Sequence, residues 1–156
     1  MTDRETTRLI AWSNELRRVH ERLREAVAAV RDAMGDADRA GHATRDLLVY
    51  CRGFCVALQQ HHRGEDQSLF PAIEAEHPEL APVLRNLEQD HSMIDYLLDA
   101  LTRAVDEQVA VGELERHLDG VTAIMESHFA YEERQLLSVL RTLRLEGDPS
   151  EVLGDL

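Results

Sequence analysis

Glycine and proline are scarce in this 156-residue chain, at eight and four residues, and aromatics make up only 4%. Alanine, leucine, glutamate and arginine dominate instead. A chain so poor in turn-formers and strand-favouring residues excludes a β-rich sandwich or barrel and reads as helical. Positive charge is also outnumbered. Seventeen Lys and Arg stand against 30 Asp and Glu, a net charge of −13. That balance argues against nucleic acid, which needs a basic footprint, and against anionic membrane surfaces. By itself it speaks to solubility. No apolar run approaches the ~20 residues of a membrane span. The charged start, Met1-Thr2-Asp3-Arg4-Glu5, offers no signal-peptide core, so a cytoplasmic protein is expected. The only two cysteines, Cys51 and Cys55, lack the C-x-x-C redox spacing. A cytosolic disulfide would be unusual, and both read as buried thiols. The length suits one domain with a sizeable core.

Four amphipathic segments keep the 3–4 residue apolar spacing of helices. The first runs from about Thr6 to Met34 through Leu9, Trp12, Leu16, Val19, Leu23, Val27 and Val30. Thr2 or Asp3 can cap it, and residues 35–41, bounded by Gly35 and Gly41, break it. The second runs from about Ala43 to Phe70, with Leu47, Tyr50, Phe54, Leu58 and Leu69 inward. Pro71 ends or kinks it. The third runs from about Ala81 to Val105 through Leu84, Leu87, Ile94, Leu97, Leu98 and Leu101. The fourth runs from about Glu113 to Leu145 through Leu114, Leu118, Val121, Ile124, Met125, Leu136 and Leu140. Gly147-Asp148-Pro149 stops it. These predict an all-α, up-down-up-down antiparallel four-helix bundle over residues 1–146, with 147–156 a flexible tail.

One pattern occurs twice. His20 is followed 41 residues later by His61-x-x-x-Glu65, and His91 is followed 37 residues later by His128-x-x-x-Glu132. Residues four apart share a helix face, so each pair aims an imidazole and a carboxylate at one point. His61 shares a face with Phe54 and Leu58, and His128 with Val121 and Ile124. His20 falls beside Leu16 and Leu23, and His91 beside Leu87 and Ile94. Unpartnered carboxylates in a core cost several kcal/mol unless they shift their pKa or bind a cation. Six such residues on four helices therefore point to a metal site in the bundle core. Four imidazoles and two carboxylates suit iron, zinc or manganese, with no thiolate to favour a softer ion. If Glu65 and Glu132 each bridge two ions, each ion has two histidines, two carboxylate oxygens, a bridging oxo or hydroxo group and an exchangeable position. A set this rich in histidine leans towards O2, peroxide or NO and away from hydrocarbon oxidation.

The ordered set resembles the hemerythrin-like (HHE) cation-binding domains over about residues 6–145. It is carried by Val19-His20-Glu21-Arg22-Leu23, by His61-His62-Arg63-Gly64-Glu65-Asp66 leading to Leu69-Phe70-Pro71, by Asp90-His91, and by His128-Phe129-Ala130-Tyr131-Glu132-Glu133. The resemblance implies a left-handed four-helix bundle around two iron ions, with His20, His61, Glu65, His91, His128 and Glu132 as ligands. It also implies storage, carriage or sensing of O2, or action on peroxide or NO. Oxygen carriers of the family have His-x-x-x-His on the third helix. Here Asp95 takes the second place, as an additional ligand, an acceptor orienting a histidine, or a solvated residue. The missing fifth histidine weakens simple O2 carriage.

His62 lies about 100° round the helix from His61, which places it at the rim of the site or as a further ligand. Tyr131 either packs at the rim or approaches the site with its phenol. Asp66 reads as solvated. Tyr50 and His117 line the core three turns from the ligands. His42 and His77 read as surface residues. Three functions fit: a di-iron protein that binds or senses a small ligand, a di-iron enzyme decomposing peroxide or reducing NO, or a bundle whose metal is purely structural.

Overall fold

The apolar stripe of the first segment does not stop at Gly35. A computed structural model describes residues 3–154, with side chains from Trp12 onward. In it, helix α1 spans Asp3–Ala40. Ala33 and Met34 before Gly35 and Ala37 after it are all buried, so the stripe runs on into the expected break. A single glycine costs a helix only about 1 kcal/mol, and that packing offsets it. The stop comes at Gly41, with φ +79°. Its N–H reaches the Asp38 carbonyl and that of His42 the Ala37 carbonyl, both at 3.2 Å, the paired closure typical of a left-handed C-terminal residue. Leu9 and the capping residues Thr2 and Asp3 lie outside the described side chains.

The second segment departs most from expectation. Thr44 caps α2 (Arg45–Gly64) by accepting from the Leu47 N–H. The helix passes into a π-helical turn (Glu65–Leu69) and resumes as α3 (Phe70–Glu76). The Phe70 N–H reaches back five residues to the Glu65 carbonyl. Pro71 therefore neither ends nor sharply breaks the rod. The widened turn absorbs its missing donor, and Pro71 sits in the first turn of α3, where that donor is not needed. A 3-10 turn (Pro78–Leu80) leads to α4 (Ala81–Asp106).

Helix α5 spans Val111–Leu140, shorter than expected. Past its end Leu143 is buried, and the Leu145 carbonyl accepts the Trp12 indole N–H at 3.3 Å. The segment expected as a flexible tail carries α6 (Pro149–Leu153), capped by Asp148, and Leu153 is fully buried. A five-residue helix has too little periodicity to be read ahead of the structure.

Helix α1 packs against α2 and α5, and α4 against the same two. The described residues are all helical or loop, and none of their helices is long and apolar enough to cross a membrane. The inward line of α2 is Leu47, Cys51, Phe54, Leu58, His61 and Glu65. These alternate spacings of four and three, the 3.5-residue period of packed bundles. Tyr50 falls outside that line and is 48% exposed, not inward. Leu97 and Ile124 are only half-buried. Both cysteines are buried and unpaired as expected.

Candidate metal centre

Each of the four long helices brings at least one histidine to the same level of the core. His20 comes from α1, His61 and His62 from α2, His91 from α4 and His128 from α5. Glu65 opens the π-helical turn, and Glu132 lies one turn beyond His128. All seven are at most 2% exposed. They form two neighbouring groups, His62 with Glu65, His91 and His128, and His20 with His61 and Glu132. Within each group one donor atom per residue lies within 4.8 Å of the others.

The two glutamates tie the groups together. Glu65 Oε1 lies 3.2 Å from His61 Nε2 and 3.4 Å from His91 Nε2. Glu132 Oε1 lies 3.2 Å from His20 Nε2, and its Oε2 3.4 Å from His128 Nε2. None of these four approaches has hydrogen-bond alignment. Both oxygens of both glutamates, Nε2 of His20 and His61, and both ring nitrogens of His62 are buried without a partner.

The outer nitrogens are held. Nδ1 of His20 faces Glu133 Oε1 at 3.3 Å, that of His91 faces Asp66 Oδ1 at 2.7 Å, and that of His128 faces Asp90 Oδ2 at 3.1 Å. Nδ1 of His61 meets the Leu153 carbonyl at 2.7 Å. An acceptor at Nδ1 places the ring proton there and leaves a lone pair at Nε2. His91 Nε2 and His128 Nε2 nonetheless lie 3.1 Å apart. Two neutral rings so anchored oppose lone pair to lone pair, which a shared cation relieves. Two nitrogens that close could be held by one ion, given metal–nitrogen bonds of about 2.1 Å. The donors present thus fit a metal on their own chemistry.

The sequence profile of the hemerythrin HHE cation-binding domain matches residues 13–150. The chain belongs to this family. No curated protein and no solved structure matches it. Two aromatic rings of this HHE domain pack against its centre. Phe129 stacks on His20 at 3.8 Å, and Phe70 lies 5.5 Å from His91. His62 stacks on His91 at 3.9 Å.

Burial and mutual charge set the protonation of the metal-free HHE centre. Burial, with repulsion from His20, pushes His61 down to about 3. Burial and the His91 charge push His62 well below its usual value. Burial and the adjacent Glu132 charge hold Glu65 well above the usual carboxylate range. Burial acts the same way on Glu132, but the His128 and His20 contacts win and hold it well below. Burial also opposes charge on His20, yet Glu132 and Glu133 together raise it. Burial thus favours the neutral imidazole at His61 and His62, and the histidine contacts favour the charged carboxylate at Glu132, the protonation a cation needs at those three residues.

The structure brings all six expected residues together and adds His62, which is 2% exposed rather than at the rim. Neighbouring residues sit about 100° apart on a helix, yet His61 and His62 are both buried, so the inward arc of α2 is wide at this level. His61 turns to His20, with ring centroids 5.3 Å apart, and His62 to His91 and His128. Asp95 is exposed and outside both groups. It lines a polar recess of about 170 Å³ with Gln59, His62, Arg63, Asp66 and Gln67. Tyr131 faces away, meeting Asn86 at 3.4 Å and lying under Arg134. Asp66 is not simply solvated, since it holds His91. His42 is exposed, His77 pairs with Glu79, and His117 is half-buried.

Asp66, Asp90, Glu133 and the Leu153 carbonyl are the functional groups that sequence reasoning missed. Two carried a signal. The repeated motif extends by one residue, to His-x-x-x-Glu-Asp and His-x-x-x-Glu-Glu. In each case the added acid holds the lone histidine of the other half.

Proposed function

We propose that this HHE domain holds two iron ions and binds or senses a small ligand, O2, peroxide or NO, at that pair. One observation carries the reading: the two donor groups share Glu65 and Glu132. Glu132 sets one oxygen near a histidine of each group, and Glu65 sets its Oε1 near a histidine of both, positions from which each could bridge two ions. His20 and His61 would hold one ion, and His62, His91 and His128 the other. The packing order of the four long helices supports the up-down-up-down bundle in which such sites form.

Bound iron would supply redox change and positions open to a small ligand. The chain's own residues do the rest. Glu133, Asp66 and Asp90 fix the imidazoles of His20, His91 and His128, and Phe129 and Phe70 exclude water. His62 supplies a fifth imidazole where Asp95 does not. That restores the histidine count of an oxygen-binding site and favours ligand binding over hydrocarbon oxidation.

The test is metal content of the purified chain by mass spectrometry, followed by optical titration with O2, peroxide and NO. About two irons per chain and a ligand-dependent spectrum are expected. Oxygen release from added peroxide would make the protein an enzyme. One zinc, or no metal after anaerobic Fe(II) loading, would refute the di-iron reading.

A further inference from the structure

Three of the four anchored histidines are held by carboxylates, of the π-helical turn, α4 and α5. The exception is His61, whose Nδ1 meets the carbonyl of Leu153 on α6 at 2.7 Å, 92 residues away in sequence. Three further observations bear on that contact. Leu153 is fully buried, although α6 has only five residues. Gly64, one turn past His61, lies so close that a Cβ there would sit 1.6 Å from the Val152 carbonyl oxygen. Gly154, at φ +107°, lets the chain cross His61, with a Cβ position 3.8 Å from its Cα. Helix α6 packs on α1, α2 and the π-helical turn. At its near end Asp148 accepts from both the backbone and the hydroxyl of Ser150.

We propose that α6 is a latch that positions His61, its Leu153 carbonyl fixing the ring proton on Nδ1 and aiming Nε2 at Glu65, with Gly64 as the seat that admits it. A carbonyl oxygen can only accept, so a docked α6 permits one neutral tautomer of His61. With α6 released, Nδ1 is free to lose the proton to Nε2, and the ring is free to turn. Removing the outer partner of a ligating histidine weakens metal binding by about 10–100-fold. The latch thus makes one ion of the pair depend on a segment outside the four long helices. This consequence rests on reading His61 as a metal ligand; the tautomer does not.

Gly64→Ala in the full chain tests the latch, because the added methyl meets Val152 and removes no donor. Leu153→Asp is the second variant, unseating α6 with Gly64 intact. Leu153→Met should keep it docked, and Leu114→Ala is a buried truncation about four turns along α5 from His128. Hydrogen exchange reports docking of 149–153. Long-range proton–nitrogen NMR of the metal-free protein reports the His61 tautomer, and chelator competition with Fe(II) reports affinity. The expected result is faster exchange at 149–153 and a mixed His61 tautomer in Gly64→Ala and Leu153→Asp. One of the two ions should also bind 10–100-fold more weakly, while Leu153→Met and Leu114→Ala keep the wild-type tautomer and affinity. If 149–153 is released and the His61 tautomer stays pure, the latch is refuted. If the wild-type chain binds no iron, the di-iron reading falls while the tautomer still decides the latch.

Discussion

Stripping the metal should loosen the protein by a large and measurable amount. Nine buried side-chain nitrogen and oxygen atoms among the described residues lack a hydrogen-bond partner, and all but Glu15 Oε1 belong to His20, His61, His62, Glu65 and Glu132. Leaving such a group unpaired costs about 1–3 kcal/mol, so the metal-free centre carries strain comparable to the whole stability of a domain, about 5–15 kcal/mol. Proton uptake by Glu65 and small ring movements relieve part of it. A second route gives a firmer figure. Each ion present at 100–1,000 times its Kd stabilises the fold by about 2.7–4.1 kcal/mol, so two ions give about 5–8 kcal/mol. At roughly 2–4 °C per kcal/mol for a chain of this size, Tm should rise by about 10–30 °C on loading. The assay is differential scanning calorimetry of the chelator-treated chain, and of the same sample reloaded anaerobically with Fe(II). Mass spectrometry of each sample fixes the metal content. Two bound irons with Tm within about 2 °C of the metal-free protein would refute the reasoning. The unpaired atoms would then not be the ones that hold the ions.

Further outcomes follow from single residues. His62→Phe keeps the stack on His91 and removes both nitrogens. It should weaken one ion at least tenfold in chelator competition, whereas Asp95→Asn should leave both ions unchanged. Asp66→Ala and Asp90→Ala should each weaken binding about 10–100-fold by freeing His91 or His128. Equal affinity in both variants would show that these carboxylates do not orient the rings. The stability of the metal-free protein should depend on pH with a definite sign. Between about pH 4.5 and 6.5, His61 and His62 are neutral when folded and protonated when unfolded, while Glu65 does the reverse. The unfolded chain then binds one more proton net, so stability rises with pH by about 1.4 kcal/mol per unit. Above that window the raised His20 and Glu65 favour the folded state less as they lose their protons, so stability peaks near pH 6.5. Glu65→Gln should roughly double the slope below the peak in urea titrations. A flat profile in the wild type would show that these groups titrate normally.

The donors that sequence made legible are those whose spacing alone fixes their direction. His61 and Glu65, and His128 and Glu132, are four apart, and such pairs meet wherever the helix packs. His20 and His91 were legible because they fall within the apolar stripes of their helices. His62 was not, because wheel arithmetic measures angles from one chosen residue, while a centre serving two groups fills a wide arc. His61 and His62 are both buried although they point about 100° apart. Tyr50 failed for a related reason. Over eleven residues the 3.5-residue period of a packed bundle drifts about 30° from the straight-helix period, enough to expose it. The helix ends at Gly41 and past Leu140 were hidden because continuing or folding back depends on what packs there. Residues 149–153 were illegible for the strongest reason. Gly64 looks like any tolerated helical glycine until a second chain segment is laid against it.

The charges around the centre give its asymmetry a physical sense. Two divalent ions with Glu65 and Glu132 would leave a charge of about +2 in a fully buried core, a placement that costs several kcal/mol unless it is compensated. Asp66, Asp90 and Glu133 stand at the outer nitrogens of His91, His128 and His20. Their three negative charges are each relayed inward through an imidazole. His61 alone receives a neutral carbonyl. Those three carboxylates already exceed that charge, and a fourth carboxylate would add to the excess, whereas a backbone carbonyl orients the ring without adding charge. The same neutrality makes that contact the easiest of the four to lose, since only packing of a five-residue helix holds it. The weakest point of the centre is therefore also where a movement of α6, outside the long helices, can reach the His61 ring.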